Sequence, residues 1–567
     1  MDLSEENFEQ VTQFISDSIY LQDLSKQYQL ILNILFAVEY RIKATSLLAQ
    51  LVKFIFSKLD KSEQNKEQLK KLILNRCFSY AYQILDSPQQ FRYIFFIFHC
   101  LIQEIVTDDD IVKCLSIFSS ENDLFNQMAL YFSWFAPEIQ RASPTFFNYH
   151  FAILKERSRA ILFPTIFNDN DKNINDYEKD DWKLLKDRRK GGYSPHIIAE
   201  IISNDDSDRL QEASTSSSFN INMKIPPSVF ETFWILNFSP TLIQYAACKG
   251  SINCFRFLLL AQADLSMKDN RRTSIQTFAI FGGNSMIIRI IDQNKFDFKK
   301  HLNDSILFHR NLIFNWILET HCKSPNDDIK AKEIIFNAAA SNNLTALTLG
   351  IEKENNVNYQ SKNGETAIFN ATKNGALDCF IFLLKNPSIN LRGKNKFGDL
   401  IQNAIQFRKL EIVQVLLDSP DFFNSNDFNN NDDGCNSHHE TNDKHLNDTF
   451  NDKNETNNEN NRIHMRNSNS YGTVNYDYLH LAIQMGDEDI LSCLLKNDLI
   501  RMKINESDGD VGSPIIFAAE SGREECVKVL LNTPGIDLHL KNSEGKTLVQ
   551  IAQSNGFSSI AKLLLNI

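Results

Sequence analysis

The stretch Glu365–Leu384, ETAIFNATKNGALDCFIFLL, predicts a short helix, a tight turn and a second helix. Thr366 is of the type that caps a helix N-terminus, and Gly375 is of the type that ends a helix in the left-handed conformation. Ala371 lies inside the first helix, and the apolar second helix closes on Leu384. One such pair cannot bury its own apolar face, so we expect neighbouring copies.

Residues equivalent to Ala371 recur along the chain, and the commonest gap between them is 33 residues. They are Ala199, Ala246, Ala279, Ser305, Ala338, Ala371, Ala404, Ala482, Ala518 and Ala552. Capping types stand five residues before most of them, glycine stands four residues after most, and apolar residues follow at twelve. The recurring residue has to be small because the helices of a unit and of its neighbours approach closely there. The pattern predicts about ten helix–turn–helix units.

This period and order of signals resemble the ankyrin repeat. The stretches SPTLIQYAACKGSINCFRFLL (Ser239–Leu259) and SPIIFAAESGREECVKVLL (Ser513–Leu531) are the most similar to its consensus, while the first, fourth and fifth units depart from it most. The resemblance implies an all-α ankyrin-repeat solenoid.

Residues 1–165 lack the period and show helical spacing of apolar residues instead, as at Leu47, Leu48 and Leu51. The run FRYIFFIFHCLIQEIV from Phe91 is apolar on nearly every side, which predicts a buried helix. We therefore expect an α-helical N-terminal region that caps the open end of the repeat stack. Within residues 180–330, the stretches DWKLLKDRRKGG, KIPPSVFETFW with LIQYAACKGSINCFRFLL, and HRNLIFNWILE (His309–Glu319) also resemble the large ankyrin families of protists that carry a domain of unknown function ahead of the repeats.

The chain is predicted to contain five regions. They are an all-helical N-terminal region (1–165), a polar linker with a basic lead-in (166–193), about seven divergent repeats (194–423), an Asn-rich insertion (424–470) and three C-terminal repeats (471–567). In the insertion 16 of 47 residues are Asn, with nine acidic and four basic residues, so we expect it to be disordered.

The sequence does not indicate an enzyme, because no P-loop, dinucleotide fingerprint, zinc-protease motif or nucleophile elbow occurs. No cofactor and no small-molecule substrate are predicted. Cys435, His438 and His439 lack a second pair of ligands, so no metal site is predicted. The ten cysteines include no C-x-x-C pair, and those on second helices are expected to be buried thiols in a reducing compartment.

The charge of −12 argues against nucleic-acid binding, which needs a concentrated positive stripe. The most apolar run, Tyr93–Ile102, is too short to cross a bilayer, and the acidic N-terminal residues do not resemble a secretory signal. We expect a soluble cytoplasmic protein. Nuclear import is an alternative that the basic run Lys186–Lys190 leaves open, although such a run is more often a solvated helix end.

In an ankyrin stack, the residues two and three positions after each recurring alanine point toward a concave face. The candidates for partner binding there are Lys249, Phe281, Phe308, Lys373, Asn374, Phe407, Met485 and Glu520. Large apolar groups at these positions have the character of interface anchors, and the charged residues would form a polar rim. The alternative is that irregular early repeats or the N-terminal helices cover the aromatic residues.

The predicted function is a non-catalytic protein–protein interaction scaffold that binds partners on the concave face and on the finger loops between units. The alternative is an adaptor, whose N-terminal helices recruit enzymatic machinery such as a ubiquitin ligase while the repeats select the client. The sequence does not identify the partner, because one repeat fold serves unrelated partners.

Overall fold

The computed structural model divides the chain into two compact units, Met1–Ile329 (unit 1) and Lys330–Ile567 (unit 2). It describes residues 3–59, 63–78, 91–118, 125–161, 164–169, 171–322, 331–353, 356–361, 364–419, 477–507 and 511–566. Within these ranges the regular elements are helices, joined by loops with a few isolated β-bridges. This boundary falls inside the range 194–423 that the sequence analysis treats as one block of repeats.

Unit 1 begins with helices that share one apolar core. They are α1 (Phe8–Asp17), α2 (Leu24–Tyr40), α3 (Thr45–Lys58), α4 (Glu63–Phe78), α5 (Phe91–Ile102), α6 (Asp108–Phe118), α7 (Phe125–Ala142) and α8 (Pro144–Glu156). The predicted buried helix is α5, in which Phe96, Ile97 and Cys100 have no exposed surface. Pro137 lies inside α7, and the helix is kinked at Phe135.

The rest of unit 1 contains α9 and four helix pairs. Helix α9 (Ile174–Gly191) is interrupted by non-helical residues from Lys179 to Trp182. The pairs are α10 (Ile197–Ser203) with α11 (Ser207–Ser214), α12 (Leu242–Lys249) with α13 (Ile252–Leu260), α14 (Ile275–Gly282) with α15 (Ser285–Gln293), and α16 (Leu302–Leu307) with α17 (Asn311–His321). Single 3-10 turns include Ile42–Ala44 and Trp234–Phe238.

The described residues of unit 2 form six further helix pairs and the single-turn helix α26 (Asp498–Arg501). The pairs are α18 (Ala331–Ala340) with α19 (Leu344–Lys353), α20 (Ala367–Asn374) with α21 (Leu377–Leu384), α22 (Leu400–Gln406) with α23 (Leu410–Leu417), α24 (Tyr478–Met485) with α25 (Glu488–Leu494), α27 (Pro514–Glu520) with α28 (Glu524–Leu531), and α29 (Leu548–Ser554) with α30 (Ser558–Leu565). In both units the predicted recurring small residue lies in the first helix of a pair, where its side chain is fully buried.

Where a glycine follows a first helix, as at Gly375 and Gly522, it lies against the next pair. Gly522 has a φ of 67°, which favours glycine, and an alanine Cβ there would overlap the ring of Phe557 in the next pair. At Gly375 the Cβ would lie 3.1 Å from the Lys409 side chain. Phe557 and Lys409 both stand five residues after the recurring alanine of their own pair. At Gly522 the backbone conformation and the contact with the next pair therefore both favour glycine.

The helix pairs on the two sides of residues 420–476 contact each other directly. Helix α22 packs on α24, and α23 packs on α25. The hydroxyl of Tyr478 donates a hydrogen bond of 2.8 Å to the carboxylate of Asp399, the N-cap residue of α22. The predicted Asn-rich insertion, 424–470, lies outside the described residues and is flanked by these two neighbouring pairs.

Candidate partner-binding surface

The residues two and three positions after each recurring small residue form a surface, which we call the first-helix surface. In unit 1 the three candidate residues on this surface are buried. The side chains of Lys249, Phe281 and Phe308 are only 5%, 4% and 4% exposed. The sequence-based expectation that these three residues offer a free surface is therefore wrong, and their neighbours show why.

An aromatic cluster buries Phe281. Its ring contacts that of Phe308 in an edge-on arrangement, with centroids 4.9 Å apart. The rings of Phe233 and Trp234 lie 5.9 and 6.2 Å from the Phe281 ring. These two aromatic residues belong to the segment between α11 and α12, an insertion within the range 194–423 that is predicted to hold divergent repeats. Phe281 and Phe308 are thus core residues of unit 1.

Residues between α2 and α3 cover the adjacent helix ends. The ammonium of Lys43 donates to the carbonyl oxygen of Lys249, the last residue of α12. The guanidinium of Arg41 donates to the carbonyl oxygens of Phe308 and His309, at 3.3 and 3.0 Å. Cations are favoured at helix C-termini, where carbonyl groups lack partners within the helix. Of the two alternatives left open by the sequence, coverage is the one observed in unit 1.

Lys249 is also held by a buried ion pair. Its Nζ atom lies 2.9 Å from an oxygen of Glu231, which is 1% exposed, and 3.8 Å from the centre of the Phe233 ring. Glu231 also accepts hydrogen bonds from the Tyr245 hydroxyl (2.6 Å) and the Ser194 amide (3.2 Å). Burial and the neighbouring Glu231 carboxylate raise the pKa of Tyr245 well above its ordinary value. A buried charge needs such partners, so Lys249 is structural here.

In unit 2 the five predicted residues reach the surface. Asn374 is exposed, and Lys373, Phe407, Met485 and Glu520 are partly exposed. The Lys373 ammonium lies 5.4 Å from the centre of the Phe407 ring. The structure therefore brings Lys373 and Phe407 together, as cation and aromatic face, on an open part of the first-helix surface.

A rigid finger loop extends this part of the surface. The amide nitrogens of Asn395 and Gly398 each bond to the carbonyl oxygen of the other at 3.0 Å, which closes a tight turn. The side chains of Asn395 and Asn403 exchange bonds of 2.8 and 2.9 Å, which tie the turn to α22. Phe397, at the centre of the turn, places its ring 5.1 Å from that of Phe407.

The residues of this loop are not among those predicted from the repeat positions. Lys394 and Lys396 are exposed, and Phe397 is partly exposed. The signal in the sequence is the dense basic run Arg392–Lys396, RGKNK, followed at once by Phe397 in the loop between two repeats. The recurring positions within first helices do not include finger loops, so a search limited to those positions passes over this run.

Neighbouring pairs fix the remaining candidates of unit 2. The guanidinium of Arg408 donates to the carbonyl oxygen of Met485. The side-chain amide of Asn542 donates to the carboxylate of Glu520 at 3.0 Å. Both bonds link one helix pair to the next, so the backbone under the first-helix surface is held in place.

The basic run Lys186–Lys190 is engaged within unit 1. Arg189 is 5% exposed, and its guanidinium forms two bonds with the Glu138 carboxylate, at 2.6 and 2.9 Å. Arg188 pairs with Asp169 at 3.2 Å. Both arginines of this run, which an import signal would have to expose, therefore form ion pairs within unit 1.

A serine, a histidine and a carboxylate also meet in unit 1. Nε2 of His301 lies 3.3 Å from the Ser274 hydroxyl, and Nδ1 lies 2.9 Å from a carboxylate oxygen of Asp304. The Thr277 hydroxyl contacts both His301 and Asp304, at 3.3 and 2.8 Å. Ser274 and Thr277 belong to the pair α14–α15, and Asp304 lies in the first helix of the following pair, so we interpret the group as a link between pairs.

The cysteines on second helices are buried, as predicted. Burial raises the pKa of the Cys254, Cys379 and Cys526 thiols to about 12. The described cysteines form no disulfide, and the described residues contain no group of three or more potential metal ligands. The run Cys435 to His439 lies outside the described residues. None of the helices within the described ranges is sufficiently long and apolar to span a bilayer.

A family model described as "Ankyrin repeats (3 copies)" matches residues 335–432, 456–542 and 479–567. The C-terminal part of the chain therefore contains ankyrin repeats. One similar solved structure is the Bd0816 predatory endopeptidase from Bdellovibrio bacteriovorus in complex with immunity protein Bd3460. Sequence identity is 19%, the TM-score is 0.29, and the match covers 41% of this chain and 97% of that chain. A similarity at this TM-score carries no argument about function.

Proposed function

Because the C-terminal part of the chain contains ankyrin repeats, we propose that the protein is a non-catalytic scaffold that binds partner proteins through unit 2. Ankyrin repeats suggest a role in protein–protein interaction and are typically not catalytic. The binding surface consists of the first-helix surface of unit 2 and its finger loops. We further propose that the helix pairs of unit 1 are divergent repeats of the same kind.

The contrast between the two units carries this proposal. At the same repeat positions, unit 1 buries Phe281 and Phe308 in its own core, whereas unit 2 leaves Phe407 and Met485 partly exposed. Large apolar groups that are partly exposed among polar residues are typical anchors of protein interfaces. The finger loop is already ordered by hydrogen bonds, which lowers the entropic cost of binding.

The test is affinity capture from cell lysate with the full chain and its Phe407→Asp variant. Phe382→Asp is the matched control, since Phe382 is 37% exposed on α21, the second helix of its pair. We expect a set of proteins captured by the wild type and by Phe382→Asp to be absent with Phe407→Asp. Phe281 is unsuitable for this test, because a charge at a residue that is 4% exposed would disrupt the core of unit 1.

Circular dichroism of each variant should match the wild type, so that lost capture is not caused by unfolding. A captured set that is identical in all three proteins would contradict the proposal. It would also favour unit 1 as the recruiting part of the chain, as the adaptor alternative expects.

A further inference from the structure

The finger loop between α21 and α22 carries a local charge opposite to that of the chain. Residues 385–399, the loop itself, contain four basic residues and one acidic one, a net charge of +3 in a chain of −12. Lys385, Lys394 and Lys396 are exposed, and Lys373 is partly exposed. The charge is therefore presented at the surface next to Phe397 and Phe407.

These lysines differ from two lysines of unit 2 that are paired with carboxylates. Lys528 pairs with Glu524 and Glu525 at 2.9 and 2.8 Å, and Lys546 pairs with Glu544 at 2.6 Å. Within the described part of the chain, no carboxylate lies at ion-pairing distance from Lys373, Lys394 or Lys396.

The carboxylates nearest to the loop are engaged in hydrogen bonds. Asp399 accepts bonds of 2.8 Å from the Tyr478 hydroxyl and from the Gln402 amide. Glu365 accepts a bond of 3.2 Å from the side-chain amide of Asn395. The positive potential of the loop is reduced by these two groups but not cancelled.

We propose that this loop and the adjoining Phe407 bind an acidic segment of a partner protein that also carries an apolar side chain. The lysines attract the carboxylates, and the neighbouring rings of Phe397 and Phe407 receive the apolar group. This inference rests on the proposed function and specifies the chemistry of the partner.

A protein segment fits this surface better than a nucleic acid does. Nucleic acids require a positive stripe that follows many phosphates. The next connecting segments along unit 2 have no such basic excess: residues 495–512 contain three basic and four acidic residues, and residues 532–547 contain two of each. A long polyanion would therefore find no continuous positive stripe, whereas a short acidic segment needs only the one basic loop.

The test is a selection of peptides from a random phage-displayed library on the full chain, followed by fluorescence anisotropy with the selected peptides. We expect the selected peptides to be enriched in Asp and Glu around an aromatic or large aliphatic residue. The variant Lys394→Glu/Lys396→Glu should bind them about tenfold more weakly. Lys496→Glu/Lys541→Glu, which makes the same change in net charge at two other exposed lysines, should bind like the wild type.

Several outcomes would overturn the inference. Selected peptides that are neutral or basic, or equal binding by both double variants, would exclude the basic loop as the determinant. A labelled oligothymidylate that binds as tightly and competes with the peptides would assign the loop to nucleic acid. A selection that yields no binders would also count against it.

Failure of the inference can be distinguished from failure of the proposed function. If Phe407→Asp abolishes the capture of proteins while Lys394→Glu/Lys396→Glu leaves capture and peptide binding intact, unit 2 binds partners by another chemistry. If neither variant changes capture, both proposals fail.

Discussion

Glu231 connects parts of unit 1 that are far apart in sequence, since it bonds to Ser194, Tyr245 and Lys249. Replacing Glu231 by Gln leaves the Lys249 ammonium buried without its counter-charge. Loss of one partner of a buried ion pair costs about 3–5 kcal/mol. We therefore expect Glu231→Gln to lower the free energy of unfolding of unit 1 by an amount in that range, measured by urea denaturation.

Tryptophan fluorescence is the appropriate signal for this measurement. The chain contains four tryptophans, Trp134, Trp182, Trp234 and Trp316, and all of them lie in unit 1. The double variant Glu231→Gln/Lys249→Met removes both charges and should recover a substantial part of the loss. If the single variant is as stable as the wild type, the pair does not stabilise unit 1.

His99 makes the stability of unit 1 depend on pH. Burial lowers its pKa from 6.5 to about 4, and its ring packs against Phe95 with centroids 4.5 Å apart. As the pH falls from 6.5 toward 4, the unfolded chain takes up a proton at His99 before the folded chain does. Stability is therefore present above pH 6.5 and is lost progressively as the pH falls through this window.

The variant His99→Phe should reduce this dependence by about 1–2 kcal/mol between pH 7 and pH 5. The measurement is urea denaturation at both pH values, followed by tryptophan fluorescence. His150 and His196 also have pKa values lowered by burial, so part of the dependence should persist. Equal pH dependence in the variant and the wild type would show that His99 takes up its proton equally in both states.

At the scale of the helix pair, two factors favour glycine after a first helix: a positive φ and close contact with the next pair. Their effects on stability can be measured separately, because a glycine in the loop before α29 has the first without the second. Gly522 and Gly545 both have positive φ, 67° and 75°. An added Cβ at Gly522 would overlap the ring of Phe557, whereas at Gly545 it meets nothing within 4 Å. Gly545→Ala should cost about 1–2 kcal/mol from backbone strain alone.

Gly522→Ala should cost at least about 1 kcal/mol more, because overpacking adds to the strain. Urea denaturation followed by circular dichroism measures both variants. Equal losses of stability in the two variants would mean that Phe557 moves aside without cost. The contact between pairs would then tolerate an added methyl group at this position.

The helix pairs are the part of the fold that can be predicted from sequence, because their determinants are local. A capping residue, a small residue and a glycine recur at fixed offsets, so Ala371 and Gly375 identify one pair without knowledge of the others. The finger loops are less predictable. The turn at Asn395–Gly398 depends on bonds to Asn403 of the following helix, and no recurring offset indicates them.

For the whole molecule, we expect the two units to unfold in separable transitions, because each has its own core. Tryptophan fluorescence follows unit 1, and far-ultraviolet circular dichroism follows the helices of both units. The two denaturation curves should therefore not coincide. Glu231→Gln should shift the fluorescence curve, and Gly522→Ala should shift only the circular dichroism curve.

A single transition, moved equally by both variants and identical by both signals, would contradict this prediction. It would show that the two units unfold as one cooperative body.

The exposure of the candidate residues could be predicted for unit 2 but not for unit 1. A repeat position fixes which way a side chain points from its helix, and Phe308 and Phe407 share one position, three residues after the recurring small residue. Whether that side chain is covered depends on distant parts of the chain. Arg41 reaches a residue 268 positions away at His309, and no local pattern encodes such a contact.

The direct packing of α22 on α24 and of α23 on α25 has a consequence for the gene. The stretch between residues 419 and 477 is flanked by two helix pairs, and these pairs pack on each other as successive repeats do. Codons can be gained or lost there without shifting the phase of the repeats downstream, whereas a comparable change inside a helix pair would misalign its glycine and alanine. Length variation among related genes should accordingly concentrate at this junction, and a reporter domain spliced into it should leave the flanking repeats intact.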